Sequence, residues 1–242
     1  GLGIYADGMV EHDGHVGLLL AKLKELGLDE NTIVMYSTDN GAETFTWPDG
    51  GSTMFRGEKA TNWEGGWHVP PLIKWPGVIK PGTVINDIGA HEDMLTTLVA
   101  AAGDTTAKQD LLKGRTISGA TYKVHLDGYY LGPALRGEAA WPRHEFIYFT
   151  DDGQVAALRY DNWKMTFLQQ DAKGFNVWQQ PFTVLRAPLL ANLRMDPFEI
   201  AQEENAMGFQ RWNMEHMFVI APAGAYVGQW LQSFREFPPR QK

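Results

Sequence analysis

Thr32-Ile33-Val34-Met35-Tyr36-Ser37, followed at once by Thr38-Asp39-Asn40-Gly41, is a short β-branched and apolar run that ends in a polar turn. Such a run predicts a buried strand of a parallel sheet, with the turn at its carboxyl end. Upstream, Met9, Val16, Leu19, Leu20, Leu23 and Leu26 recur at steps of three and four between Tyr5 and Leu26. That spacing predicts an amphipathic helix, which Gly27 is placed to stop before the polar turn at Asp29-Glu30-Asn31. Helix, tight turn and strand in succession are the rhythm of an α/β fold.

From Asp39 to Trp67 the chain is rich in Gly, Asp, Thr and Trp and keeps no period, which predicts a long loop of the kind reserved for function. Val69-Pro70-Pro71-Leu72-Ile73-Lys74-Trp75-Pro76-Gly77 brackets a second short strand between prolines. Met94, Leu95, Leu98, Val99 and Ala102 predict another helix, ended by Gly103. Beyond about Gly137 the texture changes to Phe146–Phe149, Val155–Tyr160 and Trp163–Leu168, punctuated by Asp151-Asp152-Gly153 and Asp161-Asn162. These runs predict an antiparallel meander, with a helix from Phe209 to Phe234 packed across it. The expected organisation is an α/β part over residues 1–136 and a small antiparallel α+β subdomain over 137–242.

With 44% hydrophobic and 12% aromatic residues, the 242-residue chain has ample material for a core. A formal charge of -8 and scattered basic residues argue against nucleic acid as a partner. No apolar run approaches the length of a bilayer span, so no membrane partner is expected either. The absence of cysteine excludes a disulfide, a thiolate metal site and a cysteine nucleophile within these residues. Gly1-Leu2-Gly3-Ile4-Tyr5 has neither an initiator Met nor a signal layout, so the sequence reads as starting in the middle of something.

In an open parallel sheet, ligands gather outside the carboxyl ends of the strands. Asp39 and Asn40 fall there, and a carboxylate with an amide oxygen is a hard donor set suited to calcium or magnesium. Read alone, Asp-Asn-Gly is better explained as ordinary turn chemistry. Further on, Phe55-Arg56-Gly57-Glu58-Lys59 leads into Trp63-Glu64-Gly65-Gly66-Trp67-His68. Its glycines allow close backbone approach to a ligand, and Lys59 is a compact cation suited to a tetrahedral anion. His12 and His15, three apart on the first helix, read as a polar face, and Asp151-Asp152-Gly153 reads as a hairpin turn.

The pairing of the two segments resembles the sulfatase family of the alkaline phosphatase superfamily, in particular its bacterial arylsulfatases. Gly57 to Gly66 reproduce the family's Gly-x-Lys-x-x-x-x-Glu-Gly-Gly pattern around Lys59, and Asp39-Asn40-Gly41 matches its Asp-Asn-Gly motif. Tyr5 to Asp13, Pro76 to Gly82, His91-Glu92-Asp93-Met94-Leu95 and Leu193 to Glu199 look similar too. The resemblance implies an alkaline-phosphatase-like α/β sandwich, Asp39 and Asn40 as one pair of Ca2+ ligands (Mg2+ as the alternative), and Lys59 as a sulfate contact. It also implies a formylglycine nucleophile, made from Cys or Ser in Cys/Ser-x-Pro-x-Arg, that attacks sulfur. Ser52 and Arg56 share that spacing, but Met54 stands where Pro belongs. His68 departs from the Arg that usually precedes Val-Pro.

The resemblance covers the family's second half. It implies a sulfuric ester hydrolase present as a C-terminal fragment, inactive alone, whose parent acts on a small sulfate ester or sulfated glycan. Association with a further copy or with the absent first half is expected, since a parallel strand needs neighbours. Export to the periplasm or outside the cell is implied by the family alone. The alternatives are a non-enzymatic anion-binding or structural domain, and a relaxed phosphatase or phosphodiesterase whose site is completed between subunits.

Overall fold

The computed structural model describes residues 1–46, 49–51, 53–204 and 206–238. It opens with α1, Ile4–Glu25 (22 residues), whose end is closed by Gly27 at φ 65°. The predicted helix is therefore present, yet it buries no residue, and Leu19 is 69% exposed.

β1 is Val34–Tyr36, α2 is the single turn Glu64–Trp67, and β2 is Leu72–Lys74. β1 and β2 pair antiparallel, with Val34 opposite Lys74 and Tyr36 opposite Leu72. The expected buried parallel strand from Thr32 to Ser37 is thus corrected: the strand is shorter, antiparallel to its neighbour, and Met35 is 38% exposed. A parallel strand is buried by neighbours and by helices on both faces, and β1 has only the β2 edge beside it among the described residues.

α3, His91–Ala101, is the predicted helix before Gly103. α4 (Ala107–Lys113), the hairpin of β3 (Arg115–Ile117) and β4 (Ala120–Tyr122), and α5 (Gly132–Leu135) follow. β5 (Glu145–Phe149), β6 (Val155–Tyr160), β7 (Trp163–Gln169) and β8 (Thr183–Asn192) form the expected meander in the order β5-β6-β7-β8. Its turns are those read from the sequence: Gly153 at φ 77° closes one and Asp161 at φ 48° the other. Ala156, Ala157 and Leu158 of β6, with Met165, Leu168 and Leu190 across the ladder, are buried.

The tail is α6 (Ala201–Glu204), α7 (Ala206–His216), a 3-10 turn at Met217–Val219, and α8 (Ile220–Glu236). The single helix expected from Phe209 to Phe234 is broken because Pro222 lacks an N–H and its ring would meet the carbonyl of Phe218 in a continuous helix. α7 packs on the meander, where Trp212 stacks on Trp163 of β7 at 5.9 Å.

Two compact units result, Gly1–Gly77 with Ile147–Phe218, and Val78–Phe146 with Val219 onward. The second is organised around Asp93, which is fully buried in the first turn of α3. Its carboxylate accepts from the backbone N–H of Ala90 and Tyr129, and pairs with both Nε and Nη2 of Arg143 at 2.8 and 2.6 Å. His91-Glu92-Asp93 is thereby a structural anchor.

Candidate functional site

The two sequence segments that carried the chemistry lie against each other in the first unit. The Gly41 N–H donates to the Gly66 carbonyl at 2.8 Å, and the Lys59 N–H donates to the Ala42 carbonyl at 2.9 Å. A Cβ on Gly41 would stand 1.8 Å from the Gly65 carbonyl oxygen. On Gly65 it would stand 2.5 Å from the Arg56 and Gly57 carbonyls, and on Gly66 2.5 Å from that of Glu58. The close approaches that these glycines permit here are between backbones: they let the Asp39 turn, the Arg56–Lys59 loop and the start of α2 pack as one body.

Asp39 is exposed and Asn40 is part-buried on that body. The Asn40 amide nitrogen donates to the Gly41 carbonyl at 2.9 Å, which leaves its oxygen as the atom on offer. Two hard oxygen donors suit calcium, but calcium takes six to eight oxygens, and the described residues hold no group of three or more His, Asp or Glu placed for a metal. The donor set fits part of a coordination shell. Lys59 is about one-third exposed, with Nζ 3.6 Å from Glu43 Oε2.

Beneath the loop lies a buried ionic network that the sequence reading did not single out. Glu64, the first residue of Glu-Gly-Gly, accepts from the Tyr148 hydroxyl at 2.5 Å, from Lys164 Nζ at 3.1 Å and from Arg159 Nη1 at 2.9 Å. Lys164 and Arg159 are cross-strand partners on β7 and β6, so both reach the same face. Lys164 also lies 2.8 Å from Glu199 Oε1, while the other Glu199 oxygen caps the Glu64 N–H at 2.7 Å. Burial alone pushes the Glu64 carboxyl up, but Lys164, Arg159 and the Tyr148 hydroxyl outweigh it and hold the group below the ordinary glutamate range. Burial pushes Glu199 up, and the neighbouring Glu64 charge adds to that. The signal was present in the sequence: a lysine inside the apolar strand Trp163-Lys164-Met165 has to find a buried partner.

The loop is fastened to β7 by neutral groups as well. Asn62 donates to the Leu168 carbonyl and accepts from the Gln170 N–H, and the Trp63 indole donates to the Gln170 carbonyl at 2.8 Å. Arg56 lies 3.7 Å over the Trp63 ring and donates to the Glu199 carbonyl.

Of the remaining histidines and turns, His68 borders this centre, with Nδ1 3.9 Å from Glu64 Oε2. His12 tilts against Tyr36 at 5.6 Å, and His15 lies 3.9 Å from Glu11 on the exposed face of α1. His68 packs on Phe55 at 4.6 Å, and burial pushes its pKa down against the pull of Glu64. Asp151-Asp152-Gly153 is a hairpin turn, with the Gly153 N–H on the Thr150 carbonyl. Ser52 lies outside the described residues.

The sulfatase family model matches residues 2–104. Human arylsulfatase A is 33% identical over 211 residues, 82% of this chain and 38% of that protein. The steryl-sulfatase of Mus musculus is 36% identical over 166 residues, 66% of this chain and 24% of that protein. A crystallised sulfatase from Pseudoalteromonas sp., PsFucS1, superposes with a TM-score of 0.75 at 27% identity, over 97% of this chain and 44% of that one. The chain thus spans less than half the length of each of these relatives.

Proposed function

Because the chain belongs to the sulfatase family over residues 2–104, we propose that it carries the metal-and-anion half of a sulfuric ester hydrolase site. In this reading Asp39 and Asn40 are calcium ligands and Lys59 is the cation that receives the sulfate. The observation that supports it most is the joining of the two segments: Gly41 to Gly66 and Lys59 to Ala42 are bonded backbone to backbone. The turn that offers oxygen donors and the lysine that offers a positive charge are therefore parts of one rigid surface.

A bound divalent cation supplies electrostatic neutralisation of sulfate oxygens. The chain's own residues do the rest of what can be assigned here. Lys59 attracts the anion and offsets charge that develops on its oxygens, for which Glu43 must give up its place at 3.6 Å. Glu64, Lys164 and Glu199 touch no substrate in this reading; they hold the loop that aims Lys59. The attacking group is not assigned to any of these 242 residues, which contain no cysteine. The substrate is a sulfate ester, and exported location belongs to the same proposal.

Calcium titration by calorimetry tests the assignment. Weak binding that disappears in Asp39→Ala is expected, with hydrolysis of 4-nitrophenyl sulfate absent or abolished by chelation. Calcium affinity equal in wild type and Asp39→Ala overturns it.

A further inference from the structure

We propose that Glu43 is a specificity-determining residue: its carboxylate beside Lys59 favours an anion with one negative charge, such as a sulfate ester, and disfavours a dianion, such as a phosphate monoester. This inference rests on the anion-site reading of Lys59. Glu43 Oε2 lies 3.6 Å from the Lys59 ammonium, and Oε1 accepts from the Thr46 hydroxyl at 3.4 Å. Both oxygens of the carboxylate are thereby directed. The lysine side chain is 35% exposed, and the centre of the Trp178 ring lies 5.6 Å from Nζ. Charges at this place are screened less than those of an open surface pair.

The position of the carboxylate is built into the backbone. Glu43 stands between Ala42, whose carbonyl accepts the Lys59 N–H at 2.9 Å, and Thr44, whose N–H and hydroxyl donate to Glu58 Oε2 at 3.0 and 2.6 Å. Glu58 is itself only 5% exposed, and its other oxygen accepts the Gly174 N–H at 2.8 Å. With its chain neighbours fastened on both sides, Glu43 can leave Lys59 only by turning its side chain. Its charge therefore stays near whatever anion replaces it. Glu58 adds a second negative charge one residue from the lysine. Burial pushes its carboxyl up, but the Thr44 and Gly174 hydrogen bonds outweigh that and hold it below the ordinary glutamate range.

Charge counting then sorts the ligands. A monoanion that displaces Glu43 replaces one negative charge on Lys59 by another. A dianion brings a further charge that Lys59 leaves uncompensated and that faces the Glu43 carboxylate. A sulfate ester carries one negative charge, whereas a phosphate monoester loses its second proton at about pH 6 and is a dianion above it. The same count separates substrate from product. Net hydrolysis joins a water oxygen to sulfur and breaks the S–O bond to the alcohol. The alcohol keeps one of the water protons and solvent takes the other. The inorganic sulfate left behind is a dianion, which Glu43 helps to expel.

Calorimetric titration of the full chain at about pH 8 with four probes tests this. 4-Nitrophenyl sulfate and methyl 4-nitrophenyl phosphate are the monoanions; inorganic sulfate and 4-nitrophenyl phosphate are the dianions. Glu43→Gln, which keeps the size of the side chain, is expected to tighten both dianions about threefold or more beyond any change in the monoanions. Glu43→Asp, which keeps the charge, should retain most of the wild-type discrimination. The proposal is overturned if Glu43→Gln shifts all four probes alike or none of them, or if the shift follows the central atom, sulfur or phosphorus, instead of the charge. Lys59→Ala separates this from the reading beneath it. Unchanged 4-nitrophenyl sulfate affinity in that variant removes the anion site. Binding lost in Lys59→Ala, with the two charge classes treated alike by Glu43→Gln, removes the role of Glu43 alone. Absence of binding by all four probes overturns both.

Discussion

Gly41 donates its N–H to the Gly66 carbonyl at 2.8 Å, and a methyl group on Gly41 would stand 1.8 Å from the oxygen of Gly65. The opposing atoms are backbone, which cannot rotate away as a side chain can. The placement of Asp39 and Asn40 is therefore set by the loop that carries Lys59, and that loop is set by Glu64 and the meander below it.

Gly41→Ala is accordingly expected to destabilise the first unit by about 1–3 kcal/mol, read as a lower urea midpoint. An unchanged midpoint would mean that the two segments do not pack as closely as described.

Lys164 is fully buried between Glu64 and Glu199. Lys164→Met leaves two carboxylates facing each other in the core, and its cost should be about 3–5 kcal/mol. Adding Glu199→Gln to Lys164→Met removes one of those charges and should recover part of the loss. A double variant less stable than the single one would show that the network is not balanced as its geometry implies.

The stability of the first unit should depend on pH in two opposing ways. Glu64 and Glu58 are held below the ordinary glutamate value of 4.5, burial being outweighed by Lys164 and Arg159 in one case and by Thr44 and Gly174 in the other. Their contribution is present above pH 4.5 and is lost as pH falls through the lowered values. Glu199 is raised by burial, so its contribution is present below 4.5 and is lost as pH rises through its raised value. Urea midpoints across pH 3 to 7 should fall on the acid side, and Glu64→Gln should flatten that limb. An acid limb of the same steepness in Glu64→Gln would contradict the assignment.

α1 buries none of its residues, and Leu18 and Leu19 are both 69% exposed. Apolar surface of this kind promotes self-association. Light scattering should report species larger than 27.1 kDa as concentration rises, and replacing Leu18 and Leu19 with Gln should reduce them. A concentration-independent monomer would count against a covered α1 face.

Much of this arrangement was legible in the sequence because the signals were local. The 3.6 period from Met9 to Leu26 and the alternation broken by Asp161-Asn162 each concern neighbours along the chain, and α1 and the β6–β7 hairpin follow them. The direction of β1 was not legible: Thr32 to Ser37 states that a strand is apolar, but the choice of an antiparallel partner at Leu72–Lys74 depends on which strands lie beside it. The break before α8 is written in Pro222, which cannot continue a helix past the carbonyl of Phe218, while the aromatic pattern runs on across it. Asp39, Asn40 and Lys59 stand in local motifs, whereas Glu58 meets Gly174 and Glu199 meets Glu64 across more than a hundred positions of sequence. Gly174 N to Glu58 spans 116 positions, and no window along the chain contains both.

The claim that the Asp39 turn and the Lys59 loop form one site is tested most directly by linkage between their ligands. Inorganic sulfate should be titrated into the wild-type chain with and without saturating calcium, and again in Asp39→Ala. Calcium is predicted to tighten sulfate binding by about fivefold or more, with that enhancement lost in Asp39→Ala and sulfate binding itself lost in Lys59→Ala. Sulfate affinity that is the same with and without calcium in the wild-type chain would contradict the account.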